Sequence, residues 1–117
     1  MIKGIGLDIA EIARIMKAMN RSEKFQRRIL SDQELEIFYQ LSEARKVEFL
    51  AGRFAAKEAF SKAKGTGIGK NCEFHQIEVL KDDLGKPILL FNGEIVSGHV
   101  SITHTKEYAA AQVILME

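Results

Sequence analysis

Phe54-Ala55-Ala56-Lys57-Glu58-Ala59-Phe60-Ser61-Lys62 places an acid where a helix should be apolar. The surrounding pattern predicts one long helix over residues 43–64, with Val47, Ala51 and Phe54 on a single stripe. At ~100° per residue, Glu58 falls on the centre line of that stripe and Lys62 follows one turn later. Phe49 and Phe60 load another side, and a helix apolar on two faces is central or is covered by another subunit. A carboxylate is rarely buried unless something pairs with it or binds it. Asp8 poses the same problem: it closes the apolar run Ile2-Lys3-Gly4-Ile5-Gly6-Leu7 and precedes Ile9. Two such carboxylates and a lysine suggest a divalent cation carrying a phosphate.

Outward from the helix, residues 2–9 read as a strand broken by two glycines, and residues 11–19 as a short helix with Ile12, Ile15, Met16 and Met19 on its apolar side. Phe25 and Ile29 suggest a further helical turn. Ser31 and Glu34 form a capping box opening a helix that sends Leu35, Phe38 and Tyr39 toward the core. Gly65-Thr66-Gly67-Ile68-Gly69 stops the long helix, with glycine where left-handed backbone is needed. Strands follow at 74–80, 87–91, 99–104 and 108–116, with a hairpin turn at Asn92-Gly93. A strand, then helices, then strands predict an α+β fold with a mostly antiparallel sheet.

The 117 residues suit one domain, 1–117, with 46% apolar and 28% charged residues as in ordinary globular proteins. There is no apolar run of membrane length, and no signal peptide at the N-terminus. A single cysteine, Cys72, excludes an intrachain disulfide framework, fits a reducing cytoplasm and reads as a small semi-buried apolar residue. The net charge is only +1, yet Arg14, Lys17, Arg21, Lys24, Arg27 and Arg28 crowd one segment, opposed there by Glu23 alone. Such a segment is a solvated helix face or a surface for an acidic partner.

Magnesium takes hard oxygen ligands and usually only one or two protein carboxylates, so Asp8 and Glu58 suffice if strand and helix meet. Unpaired at ~4 Å they would repel by about 4 kcal/mol at an effective dielectric near 20. Lys62 could neutralise a phosphate. Lys57 and Ser61 sit one turn apart, and Arg53 one turn before Lys57; the glycine loop from Gly65 admits a ligand close to backbone. The plainer alternative is a Glu58–Lys62 helical salt bridge worth about 0.2–0.5 kcal/mol. The loop lacks Walker spacing. His104, in Ser101-Ile102-Thr103-His104-Thr105, has no following acid for a triad; it is a structural strand-end residue or an anion ligand aided by neighbouring hydroxyls. His75 and His99 show no zinc spacing with it.

At these residues the chain resembles the holo-acyl-carrier-protein synthases, the small homotrimeric branch of the 4'-phosphopantetheinyl transferases. The motifs are Ile5-Gly6-Leu7-Asp8, the stretch from Phe54 to Lys62, Gly85-Lys86-Pro87 and Val100-Ser101-Ile102-Thr103-His104-Thr105. Each is weak alone; four in order, across essentially the whole chain, are specific. Ala55 and Ala59 depart from the small polar residues common in the wider superfamily, at positions that hold no metal.

The resemblance implies Mg²⁺-dependent transfer of the phosphopantetheine arm of coenzyme A to a serine of apo-acyl carrier protein, with adenosine bisphosphate leaving, in support of fatty acid biosynthesis. It makes Asp8 and Glu58 the metal pair and, with Lys62, the catalytic set. It assigns coenzyme A to Arg53, Ser61, Lys62, Gly65, Lys86, Pro87, His104 and Thr105, with Arg53 and His104 at the ribose phosphate. It also implies a homotrimer with sites between subunits. The acidic carrier would meet Arg14, Arg21 and Arg28, with Met19 and Phe25 as apolar anchors. Three rivals remain: a nucleic-acid binder, which leaves Asp8 and Glu58 unexplained and lacks stacking aromatics; another Mg²⁺-dependent phosphate enzyme; and a structural subunit with a buried Glu58–Lys62 bridge. Neither nucleic acid nor membrane is expected as a partner.

Overall fold

A computed structural model describes all residues, 1–117. Strand β1 (Ile2–Glu11) leads into helices α1 (Ile12–Arg21), α2 (Glu23–Ile29), α3 (Asp32–Tyr39) and α4 (Glu43–Lys64). A 3-10 turn (Phe74–Gln76) then precedes β2 (Ile77–Lys81), β3 (Pro87–Phe91), β4 (Glu94–Ile95), β5 (Gly98–His104) and β6 (Tyr108–Met116). The α+β class holds, but the strands form two antiparallel sheets rather than one: β1-β6-β5 and β2-β3-β4. No helix is long and apolar enough to cross a membrane.

The long helix has the extent its periodicity predicts, because both ends are chemically marked. Ser42 accepts from the Arg45 amide at the N-terminus. At the C-terminus Gly65 adopts φ 90°, and its N–H reaches the carbonyls of Ser61 and Lys62. The Ser31–Glu34 capping box forms as expected, and Asn92 (φ 53°) and Gly93 (φ 82°) make the two-residue turn between β3 and β4. Three expectations shift. The first strand runs on to Glu11 because it pairs with β6 along its whole length, Glu11 opposite Tyr108. Residues 74–76 curl into the 3-10 turn before the strand begins. Met16 and Tyr39 turn outward, as helix rotation leaves Ile15 and Phe38 to fill the core.

Both apolar sides of α4 are covered within the chain, so neither calls for a second subunit. Ala59 and Ala63, with Gly52, receive the first sheet. Phe60 packs on Phe91 of β3, ring centroids 5.4 Å apart, and Phe54 lies between Phe25 of α2 and Phe74. The uncovered apolar surface is elsewhere. Strand β1 alternates: Gly6 and Ala10 are buried and Gly4 and Asp8 half-buried, whereas Ile5, Leu7 and Ile9 are 57%, 63% and 65% exposed.

Two glycines set how near β1 comes to α4. A Cβ on Gly6 would sit 1.8 Å from the Ala59 carbonyl oxygen, and one on Gly4 would sit 2.1 Å from that of Ala63. Neither distance is tolerable, so backbone-to-backbone approach here requires glycine.

Candidate active site

That close approach brings Asp8 onto the last turns of α4. The Lys62 ammonium donates to Asp8 Oδ1 at 3.0 Å and to the Leu7 carbonyl at 3.1 Å. Lys62 therefore bridges to the strand, and the helical Glu58–Lys62 pair is not formed. Glu58 is half-buried with its carboxylate unpaired. Its pKa is raised, chiefly by partial burial and next by the nearby Asp8 charge, with Lys62 opposing. A desolvated, unpaired carboxylate facing a second one is an arrangement that a hard cation relieves. No cluster of three or more His, Cys, Asp or Glu side chains surrounds it. Asp8 and Glu58 are the two side chains that could hold such an ion, whose other oxygens would come from water and substrate.

A cleft of about 640 Å³ lies on a different side of α4, walled by Arg45, Glu48, Gly52 and Arg53 and closed by Lys81, Gly85, Pro87 and His104. His104 Nε2 stands 3.5 Å from Glu48 Oε2. Of the residues assigned to coenzyme A, Arg53, Pro87 and His104 are thus brought together. Besides Lys62, which meets Asp8, four others fall elsewhere. Ser61 is fully buried and its hydroxyl donates to the Glu58 carbonyl at 2.7 Å, so it offers nothing to a ligand. The Thr105 hydroxyl is occupied in its own turn, accepting from the Glu107 and Tyr108 amides. Lys86 is exposed but does not line the cleft; Lys81 does. Gly65 caps α4 at the surface, with open space beside it.

Arg53 also departs from expectation. Its guanidinium donates to the Val79 carbonyl at 3.2 Å and lies 4.2 Å from the Phe49 ring centroid. Burial lowers its pKa, with Glu34 opposing, and its Nε has no partner. Arg45 and Lys81, which sequence reasoning passed over, supply the more accessible cations of the cleft.

Next to Arg53 on the same line of α4, Lys57 is wholly buried. Its ammonium donates to Glu34 Oε1, to the Ile29 carbonyl at 2.7 Å and to the Phe74 carbonyl at 3.1 Å. Burial pulls the Lys57 pKa down, and the Glu34 carboxylate opposes that pull. Sequence reasoning read Glu34 as a capping residue only. The available signal was that Arg53, Lys57 and Ser61, all polar, share one line of a helix apolar on both sides.

Arg14, Lys17, Arg21, Lys24, Arg27 and Arg28 are all exposed along α1 and α2; Arg27 pairs with Glu23 at 3.3 Å. Met19 and Phe25 are half-buried between this basic face and the core. Cys72 is fully rather than partly buried.

Comparison with known proteins gives the same chemistry a family. Residues 4–113 match the model of the 4'-phosphopantetheinyl transferase superfamily. The chain is 60% identical over 115 residues to a holo-[acyl-carrier-protein] synthase of Geobacillus sp. (strain WCH70), covering 98% of this chain and 97% of that one. It is 59% identical over 116 residues to that of Bacillus subtilis (strain 168), covering 98% and 96%. Among solved structures, a holo-(acyl-carrier-protein) synthase from Bacillus anthracis str. Ames in complex with CoA superposes with TM-score 0.88 at 52% identity, over 98% of this chain and 96% of that chain. The Helicobacter pylori enzyme in complex with coenzyme A superposes with TM-score 0.84 at 37% identity, over 96% and 99%. This chain therefore belongs to the 4'-phosphopantetheinyl transferase superfamily, in its holo-[acyl-carrier-protein] synthase branch, and is an enzyme of the transferase class.

Proposed function

We propose that this enzyme transfers the 4'-phosphopantetheine group of coenzyme A to a serine of an apo-acyl carrier protein in a Mg²⁺-dependent reaction, releasing adenosine 3',5'-bisphosphate and supporting fatty acid biosynthesis in the cytoplasm. The observation that carries this is the convergence of Asp8, Glu58 and Lys62 where β1 crosses α4. Asp8 and Glu58 would hold the metal. When bound, Mg²⁺ neutralises charge on the coenzyme A diphosphate and polarises the phosphorus under attack. Glu58, or a water held by it or by Asp8, would take the serine proton. The serine oxygen forms the new bond to the phosphorus bearing the pantetheine arm. The bond from that phosphorus to the oxygen bridging it to the adenosine 5'-phosphate breaks, and Lys62, at the site's edge, meets the charge on the departing phosphate.

The cleft lined by Arg45, Lys81 and His104, with Glu48 beside the histidine, suits the ribose 3'-phosphate through its Arg45 and Lys81 charges, with Gly85 and Pro87 beside the adenine. Arg53 supports that wall rather than reaching the phosphate, because its guanidinium is already engaged. Arg45 and Phe49 lie roughly 140° around α4 from Glu58 and Lys62, at ~100° per residue. One chain thus presents two half-sites on different sides of a helix. A homotrimer with its sites between subunits would join one chain's carboxylates to a neighbour's cleft. The exposed Ile5, Leu7 and Ile9 are the surface suited to that contact. The basic face of α1 and α2 suits an acidic carrier.

Incubation with coenzyme A, Mg²⁺ and an apo-carrier tests the reading by intact mass. The carrier is expected to gain the phosphopantetheine mass, and Glu58→Gln to abolish the gain while the fold survives. Unmodified carrier with the wild-type enzyme would overturn the function, and full turnover by Glu58→Gln would overturn the role of Glu58.

A further inference from the structure

The proposed chemistry makes no use of the buried charge pair Lys57–Glu34, although Lys57 adjoins Glu58. The two residues stand where α2, α3, the 3-10 turn and β2 meet α4. Lys57 Nζ holds the Ile29 carbonyl, the C-terminal residue of α2, and the Phe74 carbonyl of the 3-10 turn. Glu34 Oε1 accepts from the Ser31 amide at 2.9 Å, and Oε2 accepts from the Val79 amide at 2.8 Å. Val79 lies on the outer edge of β2, and its carbonyl is taken by Arg53. The ends of α2, α3 and the 3-10 turn, and the free edge of β2, are thereby tied to one turn of α4. Glu58 leaves that same turn about 100° around the helix.

A pair of this kind is a poor device for stability alone. Removing two charges from water costs several kcal/mol each, and apolar residues of similar volume often replace such pairs without loss. What the pair supplies is direction: an ammonium with three N–H groups meets three oxygens at fixed angles, and packed hydrocarbon does not specify such angles. The element it orients most directly is α2, seven residues long and carrying Phe25 and the exposed Arg28.

We infer that Lys57 and Glu34 are positioning residues that set the carrier-docking face of α2 relative to Glu58, so that an acidic carrier's serine is delivered to the reacting phosphorus. This rests on the transfer reaction proposed above. Lys57 touches neither substrate; it acts through α2. Its loss therefore falls on the carrier and not on coenzyme A.

The test is steady-state kinetics of the full-length enzyme with coenzyme A, Mg²⁺ and apo-carrier, varying each substrate in turn. The variants are the charge-free double replacement Lys57→Met with Glu34→Gln, and Lys57→Arg, whose planar guanidinium cannot match a tetrahedral set of three acceptors. Circular dichroism and thermal melting establish which are folded. In each folded variant the carrier KM is expected to rise roughly tenfold while the coenzyme A KM stays within about twofold. Arg28→Ala should also cost less in the double variant than in the wild type, because an α2 already displaced has less to lose. Wild-type carrier KM in either folded variant, an equal rise in both KM values, or a full Arg28→Ala penalty in the double variant would overturn the inference. If neither variant folds, the pair is a stability element and the inference falls as well. Failure of the wild-type enzyme to modify the carrier is a separate outcome, and it removes the transfer reading itself.

Discussion

At the scale of single residues, the site is an exercise in unpaired charge. Ionising Glu58 works against partial burial and against the Asp8 charge, with Lys62 opposing, and its pKa lies above the ordinary glutamate value for that reason. Ionisation at neutral pH therefore costs the metal-free protein folding free energy. Glu58→Gln should melt slightly higher than the wild type in a chelator-containing buffer at neutral pH. The gain should be no more than ~1 kcal/mol, because a half-exposed carboxylate is screened by solvent. A lower melting temperature would mean that Glu58 is held by a stabilising partner. Cys72 shows the opposite kind of environment. Burial raises its pKa, with Thr66 and Lys64 opposing and Glu58 assisting. The folded state therefore holds the thiol proton to higher pH than the unfolded chain, whose value is 9.0. This contribution to stability is present below pH 9 and is lost as pH rises through the raised folded value. Cys72→Ala should flatten the alkaline fall of stability, measured as melting temperature against pH, and the wild-type thiol should react with a thiol reagent at neutral pH only at the rate of unfolding. Rapid modification of the folded protein would contradict this burial.

At the scale of elements, two glycines and one basic face carry the consequences. Gly6 lets β1 lie on the backbone of α4, and Asp8 follows two residues later on the same face of the strand. Gly6→Ala must push strand and helix apart, at a cost of about 1–3 kcal/mol. It should also weaken Mg²⁺ and coenzyme A binding by separating Asp8 from Glu58, as measured by melting and calorimetry. An unchanged affinity would show that the site tolerates the strand's displacement. The helix α1 presents Arg14 and Arg21 on the exposed surface that also includes Arg28 of α2. Arg14→Glu should raise the apparent carrier KM, more so at low salt, and leave coenzyme A binding unchanged. An unaltered carrier KM would remove Arg14 from the docking surface.

At the scale of the whole molecule, the unpartnered apolar surface is a sheet face rather than a helix. Ile5, Leu7 and Ile9 share it with Ala110, Gln112 and Ile114, their partners on β6. If the proposed trimer forms through this face, Leu7→Glu should convert it to monomers in light scattering. The fold should survive, because Leu7 is exposed in the isolated chain and touches no core residue on that face. Transfer activity should fall by at least ~10²-fold if each site needs two chains. A monomeric variant with full activity would show that one chain suffices.

The amino-acid order by itself determined the extent of the long helix, the capping box, the Asn92-Gly93 turn and the presence of two acids, Asp8 and Glu58, among apolar neighbours. These are local facts: helical period, cap chemistry and the cost of placing an acid among apolar neighbours are all readable within a few residues. Only the tertiary structure decided that Lys62 bridges to Asp8 and not to Glu58, that Ser61 and Lys57 are buried, that Glu34 is a partner as well as a cap, and that the strands divide into two sheets. Each of those depends on chain segments that meet after tens of residues of separation. A side chain's hydrogen-bonding options in sequence are many, and packing leaves one.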